Sequence, residues 1–369
     1  RRSVIMIEGK SAVTVIGVGL IGGSLCSALK NAGYYTTGVS RPTTLAKASE
    51  MKVIDRGFDY SEIKSALYGS DYVFICTPLG DISKRLAEVF QYAEAGSIVS
   101  DVGSTKSVIA GVAGRYLKDD VWFIGGHPMT GSEKRGVENS NPFLFYDAVY
   151  VLTPPENTSK EAVEHLSSMI SGLGAKVMVI SPELHDKIAA SVSHLPQILA
   201  VSLANHLADQ KNDLFRNLAA GGFRDMTRIA SSSYRIWRDI ITTNRDEIRG
   251  ALSAYCDILK GTLQHIDDDS YLEKLFTRAR KERQIIPRYS KGFLKPLVDV
   301  RISVKDRPGE LAKITSTVYF HDVNIKDIEI VNIREGEGGV LRLGFTGNSD
   351  AQKAADALRG IGYDVSVID

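Results

Sequence analysis

Ala12-Val13-Thr14-Val15-Ile16-Gly17-Val18-Gly19-Leu20-Ile21-Gly22 runs from a short apolar segment, through three spaced glycines, into a helical pattern. A strand, a G-x-G-x-x-G turn and a helix open a dinucleotide-binding βαβ unit. Gly17 permits the tight turn, Gly19 lets the backbone approach a pyrophosphate, and Gly22 lets the helix pack on the sheet. The helix start, at Leu20 and Ile21, then points its free N–H groups at the phosphates. Glycines alone also mark ordinary turns. The strand before and the helix after favour the cofactor reading over a structural turn.

Outward from this turn, apolar strands alternate with helical patterns as far as about Ile180. Segments 12–16, 36–39, 72–76, 97–99, 122–124, 148–152 and 176–180 read as strands. Several are near-continuous apolar runs, which fits a mostly parallel sheet covered on both faces. After Ser181-Pro182 the strand signals stop, and amphipathic helices over 184–210 and 245–265 take over, with Pro196 expected to kink or split the first. Lys291 to Pro296 reads as a linker. Beyond it a strand (297–304), a helix (310–320), strands (323–334 and 340–345), a helix from a Ser349 cap to Arg359 and a last strand (363–368) give βαββαβ, with 335–339 as a hairpin loop. The expected organisation is a Rossmann-like α/β domain (1–181), an all-α domain (182–292) and a ferredoxin-like domain (297–369).

Composition excludes several classes. The 369 residues are 43% hydrophobic and 24% charged with a net charge of +1. Nothing in that balance points to nucleic acid or a membrane surface. Cys26, Cys76 and Cys256 are far apart, without metal-ligand spacing, and read as apolar core residues in a reducing compartment. No metal is expected. No apolar run reads as long enough to span a bilayer, and the first ten residues lack a signal-peptide pattern. The expectation is a cytoplasmic protein.

The second strand ends Gly38-Val39-Ser40-Arg41. An acid at position 40 would bind a ribose 2′-hydroxyl. Ser40 carries no such charge and Arg41 can pair with a 2′-phosphate, so the reading leans to NADP over NAD. The alternative is a solvated arginine beside an NAD site that lacks its acid. Thr77 and Pro78 end a strand at the edge where such folds bind ligands and are expected along the nicotinamide. Asp101 and Ser104, in Asp101-Val102-Gly103-Ser104-Thr105-Lys106, are expected in the same cleft, or as caps of the next helix. His127, in Ile124-Gly125-Gly126-His127-Pro128-Met129-Thr130-Gly131-Ser132-Glu133, lies at the mouth of the fold. A histidine there can take a proton while a nicotinamide takes a hydride.

Taken in order, residues 17–22, 101–106, 125–133, Ser193-His194-Leu195-Pro196 and Gly222-Phe223-Arg224-Asp225-Met226-Thr227-Arg228 resemble the prephenate/arogenate dehydrogenase family of tyrosine biosynthesis. The resemblance covers residue 12 to about 290, and the last domain resembles an ACT domain. The resemblance implies an oxidative decarboxylation: a ring carbon gives hydride to the nicotinamide, the ring carboxylate leaves as CO2, and the ring becomes aromatic. It implies that His127 accepts the ring-hydroxyl proton, with Ser104 supporting the hydroxyl or the nicotinamide. Arg228 matches a family arginine that binds a substrate carboxylate, and Asp225 can steady it if the segment is helical. His194 matches a family histidine and is either a substrate contact or a satisfied helix histidine. Where many members carry a second histidine, this chain has Gln197, which cannot become cationic. That leaves prephenate, a keto acid, and its amino counterpart arogenate both open. Glu133, with Ser132 beside it, matches an acid near the pocket mouth. Trp237 matches a family tryptophan, or is a core or interface aromatic.

In the last domain, Asp306, Pro308, Gly309, Glu310 and Leu311 form a strand-to-helix turn. Gly309 allows close backbone approach, and the helix start can bind a carboxylate. Asn324 and Ile325 are expected on the facing strand. ACT domains pair side by side and bind amino acids there, so the resemblance implies a homodimer inhibited by tyrosine. Two alternatives remain: a non-catalytic sensor of nucleotide and amino acid, and a β-hydroxyacid-type dehydrogenase using Lys187.

Overall fold

The computed structural model describes residues 11–131, 134–285, 297–334 and 338–368, without the side chains of 331–334. The chain forms two compact units, residues 1–272 and 273–369.

The first unit is built on an eight-stranded sheet of β1 (Ala12–Ile16), β2 (Tyr35–Val39), β3 (Arg56–Phe58), β4 (Tyr72–Ile75), β5 (Ile98–Asp101), β6 (Trp122–Pro128), β7 (Val149–Thr153) and β8 (Lys176–Val179). The spatial order is β3-β2-β1-β4-β5-β6-β7-β8. The first six strands are parallel, β7 is antiparallel to β6, and β8 is parallel to β7. Strand residues feed two cores by alternation: Phe74 packs with Val13, Leu25 and Leu152, while Val73 and Ile75 pack with Ile82, Leu86 and Phe90. Both faces are therefore apolar, which explains the near-continuous hydrophobic strands. Each fully buried leucine such as Leu25 contributes about 1.5–3 kcal/mol. The strand order reverses between β1 and β4, and the crevice at their carboxyl ends is where ligands bind in such sheets.

Sequence and structure differ at β3 and β6. The three-residue edge strand β3 buries only Phe58 and so carries no periodicity to detect. β6 runs four residues further than expected, because β7 pairs antiparallel with its last turn, His127 opposite Val151.

Among the described residues from 182 to 285 there is no strand. Helix Pro182–Ala189 starts at Ser181, whose Oγ accepts the Leu184 N–H at 3.2 Å. It passes into a π-helical turn, Ala190–His194, and then into helix Leu195–Ala208. Pro196 does not split the path. It has no N–H to return to the previous turn, and the wide turn before it absorbs the mismatch, with Leu195 N–H donating to the Ala190 carbonyl. The joined stretch Pro182–Ala208 is long and apolar enough to cross a membrane by length and composition, contrary to expectation. Pro196 and the polar His185, Asp186, His194 and Gln197 break up that signal in the sequence. Those four are buried, while Leu184, Ile188, Val192 and Val201 stay exposed. Helices Gly221–Thr227, Tyr234–Thr243 and Arg245–Gln264 follow.

The second unit carries β9 (Val298–Val304), helix Glu310–Phe320, β10 (Asp327–Arg334), β11 (Gly338–Phe345), helix Asn348–Gly360 and β12 (Asp364–Ile368). Its antiparallel sheet has the order β10-β11-β9-β12, so the βαββαβ reading holds. Val300, Ile302, Leu341, Leu343 and Phe345 pack against Ile314, Val318 and Leu358 of the helices. On the other face Arg342 is buried against Asp299 and Glu329, each at 2.9 Å, and against Asp327. Two local expectations fail. β10 begins at Asp327, which leaves Asn324 and Ile325 in the preceding loop. Ser349 does not cap its helix, which starts after Gly347 with no side-chain cap. The expected linker 291–296 and most of the hairpin loop lie outside the described residues.

Candidate active site

The glycine turn fits a dinucleotide. Gly17 has φ +98°, and a Cβ there would sit 2.8 Å from the Cys76 carbonyl carbon. A Cβ on Gly22 would run into the Gly17 carbonyl oxygen, whereas Gly19 faces open space that a ligand can approach. Helix Leu20–Asn31 begins without a side-chain cap, so its first N–H groups face the turn. On the neighbouring strand end, Thr77 Oγ1 is buried without a partner, as expected of a hydroxyl that serves a ligand. Pro78 is exposed beside it, at the start of helix Leu79–Tyr92. Ser40 is buried at the end of β2, its N–H on the Phe58 carbonyl at 3.1 Å. Arg41 is exposed at the start of helix Pro42–Glu50.

Asp101 does not line the cofactor cleft. It is fully buried, and its carboxylate accepts the N–H of Gly103 (2.7 Å) and Gly126 (3.3 Å) and the ammonium of Lys106. Lys106 Nζ also donates to the Gly126 carbonyl at 2.7 Å. Burial pushes the Lys106 ammonium below its ordinary pKa, against the pull of Asp101. Nor does Asp101 or Ser104 cap helix Ser107–Tyr116. Asp186, from the all-α region, accepts the N–H of Lys106 (2.7 Å) and of Ser107 (2.8 Å) there. Ser104 lies half-buried in the turn between β5 and that helix.

β6 delivers His127. The two glycines before it are dictated by space: a Cβ on Gly125 would strike Thr153 Oγ1, and one on Gly126 would lie 2.5 Å from the Asp101 carbonyl. The strand can therefore settle onto β5 and β7 and set His127 at the carboxyl edge. His127 Nδ1 lies 2.8 Å from His185 Nε2, and His185 Nδ1 lies 2.8 Å from Asp186 Oδ1. The first two rings meet edge-on, with centroids 5.1 Å apart. Burial in the cleft holds the His127 pKa well below the ordinary value. The Lys106 charge adds to that effect, as protonation of His185 or His194 would, and Asp186 opposes it. His127 is thus a neutral imidazole at neutral pH, the form able to take a proton. Burial would raise the Asp186 carboxyl, but the hydrogen bonds from His185, Ser107 and Lys106 outweigh it and keep its pKa low.

The all-α region closes over this edge. Thr243 Oγ1 lies 2.8 Å from Thr105 Oγ1. Asn244 Nδ2 donates to the Asp186 carbonyl at 2.8 Å and lies 3.2 Å from His194 Nδ1. His194 is buried, with Trp237 edge-on at 5.9 Å between centroids. Burial lowers its pKa to about 4, opposed by Asp186 and aided by His185. Gln197 is buried and donates to the Ile229 carbonyl at 3.0 Å. Arg228 begins a 3-10 turn, Arg228–Ser231, and is exposed, as is Asp225. The expected Asp225–Arg228 pair is not among the described ion pairs, since the helix ends at Thr227 between them. Ser132 and Glu133 lie outside the described residues. Lys187 is exposed, away from the buried groups around it, so the β-hydroxyacid reading gains no support.

Three site residues escaped the sequence reading: His185, Asp186 and Asn244. No spacing singles them out. His185 and Asp186 stand 58 and 59 positions after His127 and 59 and 58 before Asn244, and only the docking of the two regions brings them together.

Known proteins are similar to this chain over both regions. Residues 25–179 match the family model "Prephenate dehydrogenase, nucleotide-binding domain" and residues 181–278 match "Prephenate dehydrogenase, dimerization domain". The chain belongs to the prephenate dehydrogenase family. Within that family, the prephenate dehydrogenase of Bacillus subtilis (strain 168) is 34% identical over 96% of this chain and 97% of its own. The solved arogenate dehydrogenase of Synechocystis is 32% identical with TM-score 0.68, over 74% of this chain and 99% of that one. The Aquifex aeolicus prephenate dehydrogenase, solved with hydroxyphenyl propionate and NAD+, is 29% identical with TM-score 0.68, over 74% of this chain and 98% of that one. Family membership makes this chain an oxidoreductase and accounts for both the Rossmann-like sheet and the helical region behind it.

Proposed function

We propose that the chain is a nicotinamide-dependent prephenate dehydrogenase, forming 4-hydroxyphenylpyruvate and CO2. The observation that carries this reading is His127. It is a neutral imidazole on the carboxyl end of β6, braced from behind and set in the same sheet edge as an uncapped dinucleotide turn. A bound nicotinamide would supply the hydride acceptor. His127 takes the proton of the ring hydroxyl as the C–H pair leaves as hydride. When the ring carboxylate departs as CO2, its electron pair aromatises the ring and the phenolic oxygen recovers the proton. Ser104 supports the hydroxyl, and Arg228 meets a substrate carboxylate as an exposed cation. His194 and Trp237 complete the substrate side, and Ser132 and Glu133 are assigned to substrate binding on the family match of the sequence alone.

Arogenate is the second reading, favoured by one observation. Gln197 commits its amide donor to Ile229, so it adds no positive charge for the side-chain carboxylate of a keto acid. On the cofactor, Ser40 and Arg41 favour NADP, with NAD as the alternative. The apolar Leu184, Ile188, Val192 and Val201 fit a second copy of the chain, and the proposed homodimer is assigned to the cytoplasm on the sequence reading alone. In the second unit a cavity of about 300 Å³, lined by Asp306, Arg307, Pro308, Gly309, Glu310 and Leu311, suits an amino acid, and tyrosine is the proposed inhibitor. Gly309 there has φ +90°, so a left-handed backbone is what requires glycine, since no atom crowds its missing Cβ.

The test is initial-rate reduction of NAD and of NADP with prephenate and with arogenate, each with and without tyrosine. Turnover of prephenate, lost by about 10²–10⁴-fold in His127→Asn, is expected. No turnover with any pair would return the chain to a binding-only role.

A further inference from the structure

His127 and His194 reach the cleft from different regions, and each is held at Nδ1 by a different partner. The partners differ in hydrogen-bonding character, and that difference decides where each ring carries its proton.

For His127 the chain of donors begins at Asp186. Its carboxylate already accepts the N–H groups of Lys106 and Ser107 and can only accept, so His185 must donate from Nδ1. A neutral His185 then has a bare Nε2, which accepts at 2.8 Å from His127 Nδ1–H. His127 is left with a lone pair at Nε2. His194 meets a donor instead. The Asp186 carbonyl can only accept, so the Asn244 atom 2.8 Å from it is the amide nitrogen. The second N–H of that nitrogen points at His194 Nδ1, 3.2 Å away. His194 Nδ1 is therefore bare, and its proton sits on Nε2.

We propose that His185, Asp186 and Asn244 are positioning residues that lock His127 and His194 in opposite tautomers, so that one ring offers the cleft an acceptor and the other a donor. The proposal rests on the dehydrogenase reading and extends it: a hydroxyl giving its proton to His127 needs an acceptor there and only there. Asp186 serves both rings, through its carboxylate to His185 and through its carbonyl to Asn244. The charged and titratable groups facing His127 are Lys106 from the turn after β5, His185 and Asp186 from helix Pro182–Ala189, and His194 from the π turn. When His127 takes a proton at Nε2, its Nδ1–H remains bonded to His185, so no N–H is stranded in the buried wall.

The experiment is two-bond ¹H–¹⁵N correlation on histidine ring nitrogens in the whole protein, assigned with His127→Asn and His194→Asn. It reads tautomers whether or not the protein turns over, so it fails separately from the proposed reaction. We expect Nδ1–H for His127 and Nε2–H for His194. Nε2–H on both rings, or a His185 protonated on both nitrogens at neutral pH, would overturn the proposal. Kinetically, His185→Phe should lower kcat by about 10–10²-fold, with KM for prephenate within about 2-fold, because only orientation and charge support are lost. The acid limb of kcat should move to lower pH, since the imidazolium loses its acceptor. His185→Gln, which keeps an acceptor, should recover most of the rate. Unchanged kcat and limb in His185→Phe would also overturn it.

Discussion

Gln197 Nε2 donates to the Ile229 carbonyl at 3.0 Å, and this bond ties the helix that follows His194 to the turn that begins at Arg228. The side chain is buried, so the amide cannot trade this partner for water. The family histidine position thus serves here to place the proposed carboxylate-binding turn. Gln197→Ala removes this donor and leaves the Ile229 carbonyl with the Ser232 N–H alone, 3.2 Å away, so the loss is that of one ordinary hydrogen bond, about 0.5–1.5 kcal/mol. We expect KM for the dianionic substrate to rise by roughly 10-fold or less, with kcat reduced less than KM is raised. Steady-state kinetics decide it: a fall in kcat alone would mean that Gln197 does not act through Arg228.

The Asp101–Lys106 pair lies beneath the catalytic strand, with both side chains fully buried. It also anchors the Gly126 N–H and carbonyl. Lys106→Met removes one charge and leaves the buried Asp101 carboxylate with only the Gly103 and Gly126 N–H groups, and breaking such a pair costs about 3–5 kcal/mol. Urea unfolding measures it. A loss below about 1 kcal/mol would show that Asp101 takes up a proton or a new partner at little cost.

Two depressed histidines set the acid behaviour. His127 must be neutral to accept a proton, and burial with the Lys106 charge holds its pKa well below 6.5. The acid limb of kcat/KM should therefore fall below pH 6.5, and a limb at or above 6.5 would contradict the buried, Lys106-flanked environment. Stability carries the same sign. The folded value of His194, about 4, lies below its unfolded value, so the unfolded chain takes up the proton first. The stability it contributes is complete above about pH 6.5 and is lost as pH falls towards 4. Thermal melts across that window should slope downward, and His194→Asn should flatten the slope.

How much of this was legible depended on which residues speak through local pattern. The strand-glycine-helix unit is read from neighbours in sequence, so β1 and its turn were placed to the residue. β4 carries Val73, Phe74 and Ile75 into two cores and reads as apolar whatever its partners are. β3 has one buried residue and no signal. His127 was legible because Gly-Gly before it and Pro after it mark a crowded strand end. His185, Asp186 and Asn244 were not, since a histidine and an acid on an amphipathic helix and an asparagine between two helices look like surface until another region docks on them. Asp101 misled for the same reason. An acid at a strand end reads as a ligand contact, and only its buried partner Lys106 shows that its oxygens are already spent.

The proposed cofactor preference is tested at the end of β2, where Arg41 is the charged residue next to Ser40. Ser40 is buried, its backbone N–H is on the Phe58 carbonyl, and its side chain brings no charge to the end of β2. Arg41 is exposed at the start of helix Pro42–Glu50 and makes no described ion pair, so its guanidinium is available to a 2′-phosphate. A guanidinium–phosphate bond is charge-assisted and bidentate, worth more than the hydroxyl contact it replaces. Arg41→Ala should cut kcat/KM with NADP by roughly 10-fold while leaving NAD within about 2-fold. Ser40→Asp should go further, because a carboxylate both repels the phosphate and accepts from a free 2′-hydroxyl. The ratio of kcat/KM for the two cofactors, taken in wild type and both variants at one ionic strength, reads both effects. If Arg41→Ala lowers neither cofactor, the guanidinium is solvated and NAD is the cofactor. If Ser40→Asp weakens NAD and NADP alike, position 40 faces the core and some other residue reads the ribose.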